Sequence, residues 1–182
     1  MKKMLIVLML CIASAAYCGL TSSIAVETFS LQTGDAVGDS TPADRYLYDV
    51  LADFTDGSGD DQAELIYKAA LSIGPGASQT LDMFSGLSDT YGDSLSFATV
   101  KAFVIYNNSA SQTLTIGSGT YPLTPWSNIS TSTLTIEPSG SFLYISPHDG
   151  YAVATGSAQN FHFENDAGAT CAARLFILGT SN

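Results

Sequence analysis

Apolar and polar side chains alternate in short bursts along most of this chain. From Arg45 onward the bursts read as strands near Tyr46 to Phe54, Glu64 to Ile73, Ser78 to Phe84, Ser96 to Tyr106 and Gln112 to Ile116. Further strands are expected at Thr133 to Ile136, Phe142 to Ile145, Tyr151 to Ala154, Asn160 to Glu164 and Ala172 to Leu178. Turn residues punctuate them: Asp56-Gly57-Ser58-Gly59, Gly74-Pro75-Gly76, Gly117-Ser118-Gly119, Pro138-Ser139-Gly140 and Asp149-Gly150. Between Asp61 and Leu71 two periods compete. Ala, Glu, Leu and Lys favour a helix, with Glu64 four residues before Lys68, but Leu65, Tyr67, Ala69, Leu71 and Ile73 alternate with mostly polar residues. The alternation is the period of a half-buried strand, and we read a strand there.

So many strands in so short a chain cannot lie in one open sheet without leaving an apolar face wet. Two packed sheets are the solution, and at this size the jelly roll is the natural one. The expected fold is therefore all-β, a jelly-roll-like antiparallel β-sandwich over residues 45–182, preceded by an extended N-terminal arm. In that arm, Leu20 to Thr33, Ile24 and Val26 alternate in one phase and Phe29 and Leu31 in the other, so the buried face changes along the strand. The arm continues into a Gly-, Asp- and Ser-rich loop, and together they occupy residues 19–44.

The first residues have a different logic. Lys2 and Lys3 precede an apolar run from Met4 to Ile12 and then the small residues Ala13 to Ala16. This is the plan of a secretory signal peptide, expected over residues 1–18, and the run is too short to span a bilayer. Tyr17, just before Cys18, does not suit a lipoprotein site. Secretion of the remainder is the expectation, with no membrane segment in the mature chain. Cys11 leaves with the signal, which limits Cys18 and Cys171 to one bridge; Cys171 reads as a small buried hydrophobe.

Charge narrows the partners. The chain has 17 acidic and 6 basic side chains, a net charge of −11, and lacks the cationic surface that nucleic acids and anionic membranes require. Acidity of this degree keeps a monomer soluble and opposes self-association unless contacts or bound cations offset it. The carboxylates crowd between Glu27 and Glu64, and Asp53, Asp56, Asp60 and Asp61 form a loop whose oxygens are candidate calcium ligands. The spacing is not that of a helix-loop-helix calcium site, and a solvated acidic turn is the competing reading. Apart from calcium, no cofactor is expected.

Catalytic motifs are not evident. His148 lies in a Pro-His-Asp-Gly turn and His162 between Phe161 and Phe163, without a serine elbow or a metal-ligand spacing. A non-enzymatic protein is the expectation. Trp126, in a Pro-rich loop, is the candidate contact for a glycan ligand, with packing at the end of the sandwich as the alternative. The sequons at Asn107 and Asn128 are candidate glycosylation sites.

Several segments, among them Leu87-Ser88-Asp89-Thr90-Tyr91-Gly92-Asp93, Val100-Lys101-Ala102, Asn107-Asn108-Ser109, Pro138-Ser139-Gly140-Ser141-Phe142-Leu143 and Gly150-Tyr151-Ala152-Val153, carry a resemblance. Across Tyr46 to Gly179 the chain resembles a family of small jelly-roll proteins found among phage and prophage structural genes and in environmental bacteria. That resemblance implies a structural role and carries no catalytic residues. A virion protein assembled in the cytoplasm has no use for a secretory signal, so the expectation shifts from a virion decoration or fibre protein towards an extracellular filament or appendage. By resemblance to secreted β-sandwich subunits that polymerise, Ile24, Val26, Phe29 and Leu31 are expected at a subunit interface, completing the sheet of another copy. A secreted carbohydrate-binding module is the alternative.

Overall fold

The structure is a computed structural model that describes residues 20–33, 43–127, 129 and 131–182. The expected signal peptide and the loop of residues 34–42 lie outside the described residues. Every described element is a strand: β1 (Ser22–Thr33), β2 (Ala43–Phe54), β3 (Leu65–Ile73), β4 (Ser78–Asp82), β5 (Leu87–Ser88), β6 (Ser94–Leu95) and β7 (Phe97–Asn107). They are followed by β8 (Leu114–Gly117), β9 (Thr133–Ile136), β10 (Ser141–Ile145), β11 (Tyr151–Ala152), β12 (Asn160–Asn165) and β13 (Cys171–Ser181). The segment in which helix and strand periods compete is strand β3. Burial of one face against a sheet decides a marginal propensity, because the alternating apolar side chains have a core to fill.

The strands form two packed antiparallel sheets, in the orders β10-β7-β13-β3 and β4-β12-β8-β9. The pairings β3·β13, β4·β12, β7·β10 and β8·β9 join the first of the eight main strands to the last, the second to the seventh, and so inward. One long hairpin, folded over so that β13 also pairs with β7 and β12 with β8, is the jelly-roll wrapping that the sequence predicts. Alternation along each strand builds the core. Phe161 and Phe163 of β12 point inward while His162 and Glu164 point out, and Cys171, Ala173, Leu175 and Ile177 of β13 line the opposite wall. Phe103 sits at the centre, with its ring centroid 5.1 Å from Phe161, 5.4 Å from Phe142 and 5.9 Å from Tyr144.

The ladder between β13 and β7 shifts register twice, and the first shift shapes the sheet. There it passes from Leu178↔Ala102 to Gly179↔Val100, which leaves Lys101 as an extra residue in β7. The bulge turns both Val100 and Phe103 towards the core. It also brings the Thr99 carbonyl and the Phe97 ring against Gly179, where a Cβ would collide with the carbonyl oxygen. Lys101 is buried, and its ammonium donates to the carbonyls of Pro147 and His148.

Outside the sandwich, β1 and β2 pair along twelve residues each, from Ser22↔Phe54 to Thr33↔Ala43, and form a two-stranded ribbon that joins neither sheet. The sequence reading assigns Tyr46 to Phe54 to the sandwich; instead the boundary at residue 45 falls inside β2. Two alternating runs close together in the chain pair with each other before either reaches a distant strand.

Candidate functional site

The outer face of the β10-β7-β13-β3 sheet is apolar where an isolated sandwich would present polar residues. Ala102 and Leu178 are buried there, with Ile66, Leu143, Ile145 and Phe176 half-buried beside them. The open end of the ribbon covers this patch: Ile24 and Phe54 are each 1 % exposed, packed with Ala52 and with Ala63 from the following loop. The chain entering β1 is tied down as well, since the Leu20 amide donates to Asp56 Oδ1 at 3.0 Å. Ile24, expected at a subunit interface, is thus buried within its own subunit. A solvent-facing sheet surface rich in aliphatic carbons gains more from cover in cis than from water. Val26, Phe29 and Leu31 stand in β1 opposite Val50, Leu47 and Arg45 of the same chain's β2.

Beside Ile24 lies an open groove of about 530 Å³, lined by Ser23 and Ile24 of β1, Lys68 and Ala70 of β3, and Arg174 and Phe176 of β13. The register places Phe176 directly opposite Lys68 and Arg174 opposite Ala70, so the two cations share the outer face of adjacent strands. Both are exposed. β3 is the last strand of its sheet and pairs only with β13 among the described residues, which leaves nine residues of ladder open on the other side. Lys68, notable in the sequence for its spacing from Glu64 alone, and Arg174 do not stand out there as site residues. The available signal was their phase: in a chain with 6 basic side chains, both fall at outward positions of strands whose alternate residues are apolar.

The acidic loop does not gather its carboxylates. Thr55 bridges to Gln62, Gln62 Oε1 fills the turn by accepting the Gly59 amide at 2.9 Å, and the loop closes around its own amide side chain. Asp56 is occupied by Leu20, Asp60 by His148, and Asp53 is an exposed position of β2 opposite Ser23. Among the described residues no three His, Cys, Asp or Glu side chains, Asp53, Asp56, Asp60 and Asp61 included, are grouped as metal ligands. His148 Nδ1 lies 2.8 Å from Asp60 Oδ2, and this hydrogen bond, with the charge of Asp60, raises the imidazole above its usual pKa of 6.5.

His162 has contacts that resemble a nucleophile relay: Thr80 Oγ1 at 2.7 Å from Nδ1, and Glu164 Oε1 at 3.1 Å from Nε2. The sheet accounts for them. Thr80 is the register partner of His162, and Glu164 is two residues along the same face, so pairing alone brings the three together. Thr80 is exposed to water, where an oxyanion would find no preorganised, low-dielectric surroundings.

Trp126 is half-buried, with its ring edge-on to Phe103 and Phe142 at centroid distances of 6.3 Å each. Its indole nitrogen is buried without a partner among the described residues. The ring packs on the end of the core, the alternative that the sequence offers beside a ligand contact.

Asn107 also departs from expectation. It is fully buried, and its Nδ2, the atom a glycan would occupy, donates to the carbonyls of Gln112 at 2.7 Å, Ile136 at 3.1 Å and Glu137 at 3.2 Å. In the folded protein this sequon is a structural tie and no acceptor of sugar. Asn128 lies outside the described residues.

Comparison of the chain with protein-family models, with curated proteins and with solved structures finds no match in any of the three.

Proposed function

We propose that this protein is a non-enzymatic structural subunit, which assembles with copies of itself into an extracellular filament or surface appendage through its N-terminal strand. The observation that carries the reading is a long ribbon that belongs to neither sheet, on a sandwich whose longest outer strand has an open edge. An open strand edge is a template for another strand, and main-chain hydrogen bonds with alternating side-chain contacts are the usual currency of such additions. Because ribbon and edge are different surfaces, their contact is heterologous and propagates unless its rotation closes. An extracellular site for the assembly is supported by the signal-peptide pattern of residues 1–18.

The test is negative-stain electron microscopy with sedimentation of the secreted protein beside a version lacking Leu20 to Thr33, with near-ultraviolet circular dichroism to record that both sandwiches are folded. Filaments from the intact chain and folded monomers from the shortened one are expected. Monodisperse monomers from both refute the reading. That outcome would favour a secreted carbohydrate-binding module, whose contact residue would be Tyr91, 90 % exposed between β5 and β6, in place of Trp126.

A further inference from the structure

Resting on that reading, the structure assigns the partner surface: we propose that the open edge of β3, with Lys68 and Arg174 beside it, accepts strand β1 of a second copy, whose hairpin with β2 stays intact. The added strand extends one sheet of the acceptor to the order β10-β7-β13-β3-β1-β2, the last two from the incoming copy.

The edges available on the sandwich differ in chemistry. β4 has five residues and ends in Asp82, and β9 has four and β10 five, without a cation in either. β3 has nine residues, pairs with β13 in unbroken register, and contains neither proline nor bulge. Its one charged residue is Lys68. Edge strands are protected by shortness, a bulge, a proline or a charge, Lys above all; β3 is long, unbulged and free of proline, and its one guard is Lys68, which an acidic incoming strand neutralises.

The ribbon has the complementary need. A two-stranded hairpin is marginal in water until a third strand or a packed face supports it. Here the support described is at the open end, around Ile24 and Phe54. From Val26 to Thr33 the strand spans roughly 26 Å, close to the roughly 30 Å of the β3 edge at about 3.3 Å per residue.

Charge selects a second copy as the occupant. Acidic side chains outnumber basic ones 17 to 6 in the chain, and two of the six, Lys2 and Lys3, lie in the expected leader, so subunits repel one another and a stable contact must set the few exposed cations against acid. Glu27 is the one charged residue of Ser22–Thr33, and the groove that adjoins the β3 edge carries Lys68 and Arg174. An uncharged peptide would leave both cations unanswered.

The test uses the full chain, read by sedimentation across a concentration series, since repeated pairing yields filaments and reciprocal pairing of two copies yields a closed dimer. Lys68→Glu with Arg174→Glu should raise the concentration for half-assembly by roughly tenfold or more, because like charges then face each other. Glu27→Lys alone should weaken assembly, and Glu27→Lys combined with Lys68→Glu should restore much of it. These positions are surface-facing or lie on the ribbon, and an unchanged urea midpoint of the monomer will record that folding is intact. Assembly of the Lys68→Glu/Arg174→Glu chain at the wild-type concentration, while the chain lacking Leu20 to Thr33 stays monomeric, overturns this acceptor and leaves strand-mediated assembly standing. Monomers from the wild type at every concentration overturn both.

Discussion

Asn107 is the side chain whose removal tests the internal logic of the sandwich most directly. Its amide nitrogen serves the carbonyls of Gln112, Ile136 and Glu137, and its oxygen accepts the Ser109 amide at 3.0 Å, so one residue of β7 anchors the starts of two loops and the end of β9. Asn107→Ala strands these groups where water does not reach. Each buried unsatisfied group costs about 1–3 kcal/mol, and with only two N–H bonds shared among three carbonyls we expect a total of about 4 kcal/mol. That is a large fraction of the roughly 5–15 kcal/mol that holds a domain folded. With a urea slope of about 2 kcal/mol per molar, the unfolding midpoint should fall by about 2 M. The emission of Trp126, the one tryptophan of the chain, reports the transition from its place against Phe103 and Phe142. Asn107→Asp should be worse at neutral pH, since a carboxylate would face three carbonyl oxygens with nothing to donate. Its pKa would be raised in the folded state, so the penalty is largest above that value and shrinks as acidification supplies an O–H donor. A midpoint shift for Asn107→Ala below about 0.5 M at unchanged slope would refute the reasoning, as would an Asn107→Asp variant no worse than the alanine one.

Three other outcomes follow from the packing. Ile24→Ala should destabilise the monomer by about 2–4 kcal/mol in urea unfolding at low concentration, because the side chain fills its own subunit's outer face; no effect would mean that the strand start is not held in cis. Gly179→Ala should cost about 1–3 kcal/mol, since the added carbon meets the Thr99 carbonyl and the Phe97 ring at the bulge, and a wild-type thermal midpoint would show the bulge to be soft. His148, whose pKa is raised mainly by its hydrogen bond to Asp60, stabilises the Asp60 loop fully below pH 6.5 and loses that contribution as pH rises through the raised value. Imidazole titration by NMR should show the midpoint of His148 falling towards 6.5 in Asp60→Asn, and an unmoved midpoint would sink the pairing.

Alternation of residue type was enough to read nearly every strand, because burial of one sheet face imposes a period of two that local sequence must carry. The ten runs read from Arg45 onward coincide with β2 to β4 and β7 to β13 and the extended arm with β1, whereas β5 and β6 were missed because no longer alternating run surrounds their two residues each. The wrapping, too, was legible as a class, since strand number and chain length leave few ways to dry two apolar faces. Partnership was not. That Tyr46 to Phe54 pairs with the N-terminal strand and leaves the sandwich, that Asn107 is a tie between loops, and that Trp126 turns into the core all depend on contacts between residues far apart in the chain. A sequon or an acidic run states only which groups are present; whether an amide nitrogen is free, or four carboxylates share one point in space, is settled by the neighbours the fold supplies. For the same reason Lys68 and Arg174 were invisible as a pair until the β3·β13 register set them on one face. Local sequence determined where strands form and which face of each is dry, and tertiary structure alone decided which edges stay open.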